Sequence, residues 1–215
     1  GADEPPGPTE PAEPVRGPGC EAADFDGLPF QDVDGDVAFG EVVPDFRVST
    51  LAGAFRLSDA WSDCATFTLI PMDPTFEPTD LRLLAEDGAP NAHYLLYTLG
   101  DPDTAYPPFV DALDALAEPL SAAEAAALRS RLHFVTSNPR TEPVLNAIIG
   151  INSDYGLIDT RQRLRDAGSY RSFNGAFVPD LELARFGARW SHYERRLEET
   201  LAARETDPDV LIVPW

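Results

Sequence analysis

Apolar positions in this chain are grouped, and the period of the groups changes along it. From Val42 onward, VVPDFRVSTLAGAFRLSDAWSD alternates apolar and polar residues, which predicts two short strands around a turn at Ala52-Gly53. ATFTLIPM (65–72) is apolar and β-branched almost throughout, as expected of a central strand covered on both faces. Glu77-Pro78-Thr79-Asp80 then marks the start of a short helix that stops at Gly88. HYLLYTLG (93–100) reads as a second buried strand and DPDTAYPP as a loop. Two helices follow, FVDALDALAEPL and SAAEAAALRSRL, the second with Ser121 and Glu124 placed for a capping box. HFVTSNP (133–139) predicts a third buried strand and TEPVLNAIIG (141–150) a short helix. YGLIDTRQRLRDAGSY (155–170) reads as a hairpin with a polar turn at Arg161-Gln162. Residues 180–205 carry a helical apolar stripe from Leu181 to Leu201, and DVLIVPW (209–215) reads as a last strand.

Strands alternating with helices and closed by a hairpin predict an α/β fold with a mixed central sheet flanked by helices and an N-terminal β-hairpin extension. Three regions are expected. Residues 1–19 form a Pro/Glu-rich tether too poor in apolar groups to fold. Residues 20–41 form an acidic irregular segment packed on the domain, and residues 42–215 form the domain itself.

Charge narrows the function. The net charge is −21, with 37 acidic residues against 16 basic ones, every one of them arginine. Such a field repels phosphate backbones, which argues against nucleic-acid binding. Without lysine there is no lysine base and no Schiff-base chemistry. No apolar run reaches the length of a membrane span, so insertion is not expected. The start at Gly1 followed by a Pro/Glu/Gly tether reads as the mature end of an exported protein, lipoprotein-like in its tether: periplasmic, cell-surface or secreted.

Cys20 and Cys64 are 44 residues apart, a spacing that matches no zinc site or redox motif. In an oxidising compartment a disulfide between them is the simplest use, with two buried thiols as the alternative. Asp24, Asp26, Asp32, Asp34 and Asp36 alternate with other residues next to Gly27 and Gly35, so calcium at Asp32, Asp34 and Asp36 is a candidate. The loop nonetheless lacks the glycine and glutamate of an EF-hand; Val37 and Val43 stand in those places. Phosphate-loop, dinucleotide and serine-hydrolase motifs are absent. His93, His133 and His192 have no metal-ligand spacing and read as structural or surface residues.

Gly40, Pro44-Asp45-Phe46, Leu51, Gly53, Phe55 and Leu57-Ser58-Asp59 resemble, in order and spacing, the opening of thioredoxin-like and peroxiredoxin-like proteins. Leu157-Ile158-Asp159 and Gly168 resemble their closing hairpin. The resemblance spans about residues 40–205 and implies a thioredoxin-like fold. It also implies a reactive loop after strand 66–70, where such proteins hold a cysteine at a helix N-terminus that lowers its pKa. Here the loop is Pro71-Met72-Asp73-Pro74-Thr75-Phe76-Glu77-Pro78. Pro71 and Thr75 fit the peroxiredoxin pattern, and Pro78 stands where its cysteine belongs. No proline lies near Asn152-Ser153-Asp154, where the family keeps its cis-proline.

Pro71, Asp73, Thr75, Glu77 and Pro78 are therefore expected to form a degenerate active-site loop with no catalytic residue and no dithiol oxidoreductase activity. The expected function is a non-catalytic module that binds a protein partner or a further domain of the same polypeptide. Two rival readings remain. One is a non-redox or metal-dependent enzyme using the acidic loop end, where Asp73, Thr75, Glu77, Asp101, Asp103, Ser137 and Asn138 would gather. The other is a divergent peroxiredoxin-like protein with a displaced thiol.

Overall fold

The computed structural model describes residues 29–62, 64–72, 76–86, 88, 91–150 and 155–168. The expected 180–205 helix, the 209–215 strand and His192 lie outside the described residues.

The first hairpin pairs β1 (Arg47–Thr50) with β2 (Gly53–Arg56) in antiparallel register, Thr50 opposite Gly53. Gly53 holds φ of +123°, a conformation that needs the missing Cβ. Asp45 links this hairpin to α1 (Leu57–Ala60): its carboxylate accepts from Ser58 N at 3.0 Å, Ser58 Oγ at 2.9 Å and Arg56 Nε at 2.6 Å. The Pro-Asp-Phe and Leu-Ser-Asp segments of the sequence are thus joined through one side chain.

β3 (Thr66–Pro71) is buried at every position. It pairs in parallel with β4 (Ala92–Tyr97) across α2 (Pro78–Glu86). β4 in turn pairs in parallel with β5 (Leu132–Val135). The connection between them carries α3 (Pro102–Ala105), α4 (Pro107–Ala117) and α5 (Ala122–Arg131). α3 replaces the loop expected over 101–108. Asp101 caps it by accepting from Asp103 N at 3.1 Å, and Pro102 occupies a first-turn position where its missing N–H costs nothing. Tyr106, between α3 and α4, is buried, and its hydroxyl reaches the carbonyls of Leu96, at 3.3 Å, and Val135. It pins this connection to the sheet. The capping box of α5 is present, Ser121 Oγ accepting from Glu124 N and Glu124 Oε2 from Ser121 N.

After a 3-10 turn (Pro139–Thr141) and α6 (Pro143–Gly150), β6 (Tyr155–Ile158) runs antiparallel to β3, and β7 (Leu164–Gly168) antiparallel to β6. The seven strands lie in the order β2-β1-β5-β4-β3-β6-β7. The inner order β4-β3-β6-β7, with one parallel crossover and a closing antiparallel hairpin, is the thioredoxin-like arrangement, extended by the N-terminal hairpin and by β5.

Alternation along the central strands divides the core in two. Ile70, Tyr94, Leu96, Leu132 and Phe134 face α2, α4 and α5. Phe67, Leu69, Leu95, Tyr97 and Val135 face the first hairpin, α1 and α6. Residues 29–41 form no helix or strand, yet Phe30 and Val37 pack against this second cluster.

The closing turn departs from expectation. Gln162, read as part of a polar turn, is wholly buried with φ of +62°. Its amide bonds the backbone of Gln31 and Val43, and the chain segments 40–43 and 162–164 exchange further backbone hydrogen bonds. A polar turn stays buried here because every polar atom of the amide meets a partner.

Candidate functional site

The segment joining β3 to α2 is the place where the resemblance implies a reactive group. Pro71 ends β3 opposite Tyr97, and Met72 N donates to Tyr97 O at 2.7 Å. Met72 and Phe76 are buried, and the Phe76 ring lies 5.6 Å from that of Phe109. Asp73 and Thr75 lie outside the described residues. Glu77 and Pro78 are exposed, with Pro78 the first residue of α2.

Asp80 governs the electrostatics of this helix end. Its Oδ2 accepts from Glu77 N at 2.7 Å, so the carboxylate folds back over the N-terminus of its own helix. Its side chain is buried, and burial pushes its pKa above the usual carboxylate range, against the lowering effect of the Glu77 hydrogen bond. The positive end of the helix dipole and one backbone donor thus act on a carboxylate of the chain.

Cys64 precedes β3 and sits at the other end of that strand. It is 1% exposed and disulfide-bonded. Its carbonyl accepts from Asn91 Nδ2 at 2.6 Å, which ties the start of β3 to the start of β4. Cys20 lies outside the described residues.

The remaining expected polar groups serve local structure. Asp101 caps α3 and also accepts from Thr104 Oγ1 at 3.0 Å. Asn138 caps the 3-10 turn by accepting from Arg140 N at 3.0 Å. Ser137 Oγ accepts from Ser49 N at 3.1 Å. Asp103 is exposed in the first turn of α3. Asp32, Asp34 and Asp36 are exposed, and among the described residues no three His, Cys, Asp or Glu side chains converge as a metal site. Asn152-Ser153-Asp154 lie outside the described residues.

One constellation was not anticipated. His93 and His133, each second in its strand, meet across β4 and β5. Nδ1 of His93 lies 3.1 Å from Nε2 of His133, and the rings stack 5.4 Å apart at 9°. Phe67 stacks on His93 at 5.0 Å, Trp61 on Phe67 at 5.9 Å, and Phe55 lies 4.7 Å from His133. Burial lowers His93 to about 4, with the Arg131 charge adding to the effect. Burial lowers His133 to about 3, with His93 adding. Both imidazoles are therefore neutral at pH 7, and one N–H bridges them. The available signal was that two predicted strands, destined to be parallel neighbours, both open on histidine.

No family model and no curated protein matches the chain. Among solved structures, the yeast mitochondrial 1-Cys peroxiredoxin is similar at 15% identity, TM-score 0.43, over 83% of each chain. A Chlorobium tepidum protein described as a thiol:disulfide interchange protein DsbE is similar at 15% identity, TM-score 0.41, over 69% of this chain and 98% of that one. A thiol peroxidase from Chromobacterium violaceum follows at 14% identity, TM-score 0.38, over 71% of this chain and 90% of that one. These likenesses are remote, and the strand order itself assigns the fold.

Proposed function

We propose that this chain is an exported thioredoxin-like module without thiol chemistry, acting as an interaction or accessory domain for a protein partner or a further domain of the same polypeptide. The observation that carries the proposal is the N-terminus of α2, where Asp80 accepts from Glu77 N and Pro78 stands at the first helical position. A thiolate at such a site draws its low pKa from free backbone donors and the helix dipole. This helix end offers a proline and a carboxylate instead.

Cys64 supports the same reading: it is buried, bonded and at the far end of β3. Its partner in this proposal is Cys20, and a stable disulfide suits an oxidising compartment. Among the described residues no helix is long and apolar enough to cross a membrane. The test is catalytic. The full chain and its Cys64→Ser variant are assayed for hydroperoxide consumption and for reduction of a disulfide substrate, with and without prior reduction. The expected result is no turnover by either. Turnover that disappears in Cys64→Ser overturns the proposal.

A further inference from the structure

A cleft of about 640 Å³ lies at the N-terminal end of β3 and β4, opposite the start of α2, and falls within the size range of small-molecule sites. α2, α4 and α5 contribute its walls. Those walls are largely apolar: Leu128 is buried, Leu116 is half-buried, and Leu120, 39% exposed, stands at the rim.

The charges around the cleft balance. Two guanidiniums, Arg82 and Arg131, stand beside two carboxylates, Glu86 and Glu124. Arg82 pairs with Glu86 at 2.7 Å, Glu124 accepts from Ser121 N at 2.9 Å, and Arg131 has an interaction of its own. An ion that enters an apolar cleft loses hydration, and no free counter-charge replaces it here. The cleft therefore favours neutral molecules.

One polar atom of the lining stays open to such a molecule. Nδ1 of His93 lies 3.1 Å from Nε2 of His133, and Nε2 of His93 makes no hydrogen bond among the described residues. That nitrogen is not sealed in the core either. One proton bridges the two rings. When His93 donates it, Nε2 of His93 is an acceptor; when His133 donates it, Nε2 of His93 carries its own N–H and is a donor. A hydroxyl answers both tautomers, because it donates and accepts.

We propose that this cleft binds a small neutral molecule with an apolar body and one hydroxyl, the body along Leu116, Leu120 and Leu128 and the hydroxyl on Nε2 of His93. The site lies away from the α2 N-terminus and stands or falls independently of the thiol-free reading.

The test is calorimetric titration of the full chain at pH 7 with para-propylphenol, propylbenzene and para-propylbenzoate, which share a body and differ in the polar group. Saturable para-propylphenol binding is expected, at least roughly tenfold tighter than that of the carboxylate, whose charge has no free partner in the cleft. In the His93→Phe/His133→Phe chain, para-propylphenol should bind about fivefold more weakly, the loss of one hydrogen bond, while propylbenzene keeps its affinity. Ala127→Trp, at an exposed cleft position on α5, should block the phenol and the hydrocarbon without altering the melting temperature. No saturable binding at millimolar para-propylphenol, carboxylate binding as tight as the phenol's, phenol binding undiminished in the double variant, or unchanged binding by Ala127→Trp overturns the proposal. The comparison of ligands in the unmodified chain and the Ala127→Trp variant decide the matter even if the double variant fails to fold.

Discussion

The side-chain amide of Gln162 pairs with the backbone of Gln31 in both directions, across 131 residues of sequence. Oε1 accepts from Gln31 N at 2.8 Å and Nε2 donates to Gln31 O at 2.8 Å. Nε2 also donates to Val43 O at 2.7 Å, so the amide closes the tip of the last hairpin over the segment leading into the first one. Gln162→Ala leaves these backbone groups short of partners and is expected to destabilise the fold by about 3 kcal/mol in urea unfolding. Alanine keeps the strain of a Cβ at positive φ that glutamine already carries, so this loss reports the amide. Gln162→Gly removes that strain and should recover only part of the stability. Hydrogen exchange at Gln31 N should accelerate in both variants. An unchanged rate at Gln31 contradicts the clamp.

Thr68 makes the opposite case. It lies in the middle of β3, is 2% exposed, and its hydroxyl has no hydrogen-bond partner among the described residues. A buried unpaired hydroxyl costs free energy that a methyl group of similar shape does not. Thr68→Val is therefore expected to stabilise by about 1 kcal/mol, read as a rise in the urea midpoint at constant slope. A lower midpoint would mean that the hydroxyl is satisfied in solution.

Gly156 fixes how closely α6 approaches the sheet. A Cβ there would lie 2.4 Å from Cγ2 of Ile148. Gly156→Ala forces the helix and strand apart and should cost about 1–3 kcal/mol. Ile148→Ala removes the obstructing methyl at its own cost in lost burial. The double variant should then be more stable than the sum of the two effects, a coupling that a double-mutant cycle measures directly. Additive losses contradict this packing.

The histidine pair gives stability a pH dependence of defined sign. In the fold His93 and His133 titrate near 4 and 3, against 6.5 in an open chain. The unfolded chain takes up these protons first as the pH falls. The contribution of the neutral pair is full above about pH 6.5 and is lost progressively between there and pH 3. Asp80 and Glu142 act the other way, because burial raises their carboxyls and the folded chain protonates them first. Chemical denaturation from about pH 7 down to pH 4 should show the native chain losing stability. The His93→Phe/His133→Phe chain, which keeps the ring stack, should lose less. Parallel curves would remove the pair as the cause.

Much of this fold was legible because its determinants are local. The β-branched run 66–70, the capping box at Ser121 and Glu124, and the glycine at position 53 each declare an element within a few residues. Pro78 stands where the resemblance puts a thiol, and a proline cannot supply one at any geometry. What escaped depends on distant partners. Gln162 reads as a turn residue until Gln31 and Val43 close over it, and two isolated histidines become a pair only through the register of β4 and β5. The α3 turn was missed because Asp101-Pro102 signals a loop and a helix start equally well.

The most direct test is thiol titration of the unreduced full chain with a chromogenic disulfide reagent, in native buffer and in guanidinium chloride. No reactive thiol is expected in either condition, with both cysteines appearing only after reduction. A thiol that reacts in native buffer below neutral pH, and that peroxide converts to a sulfenic acid, would contradict it.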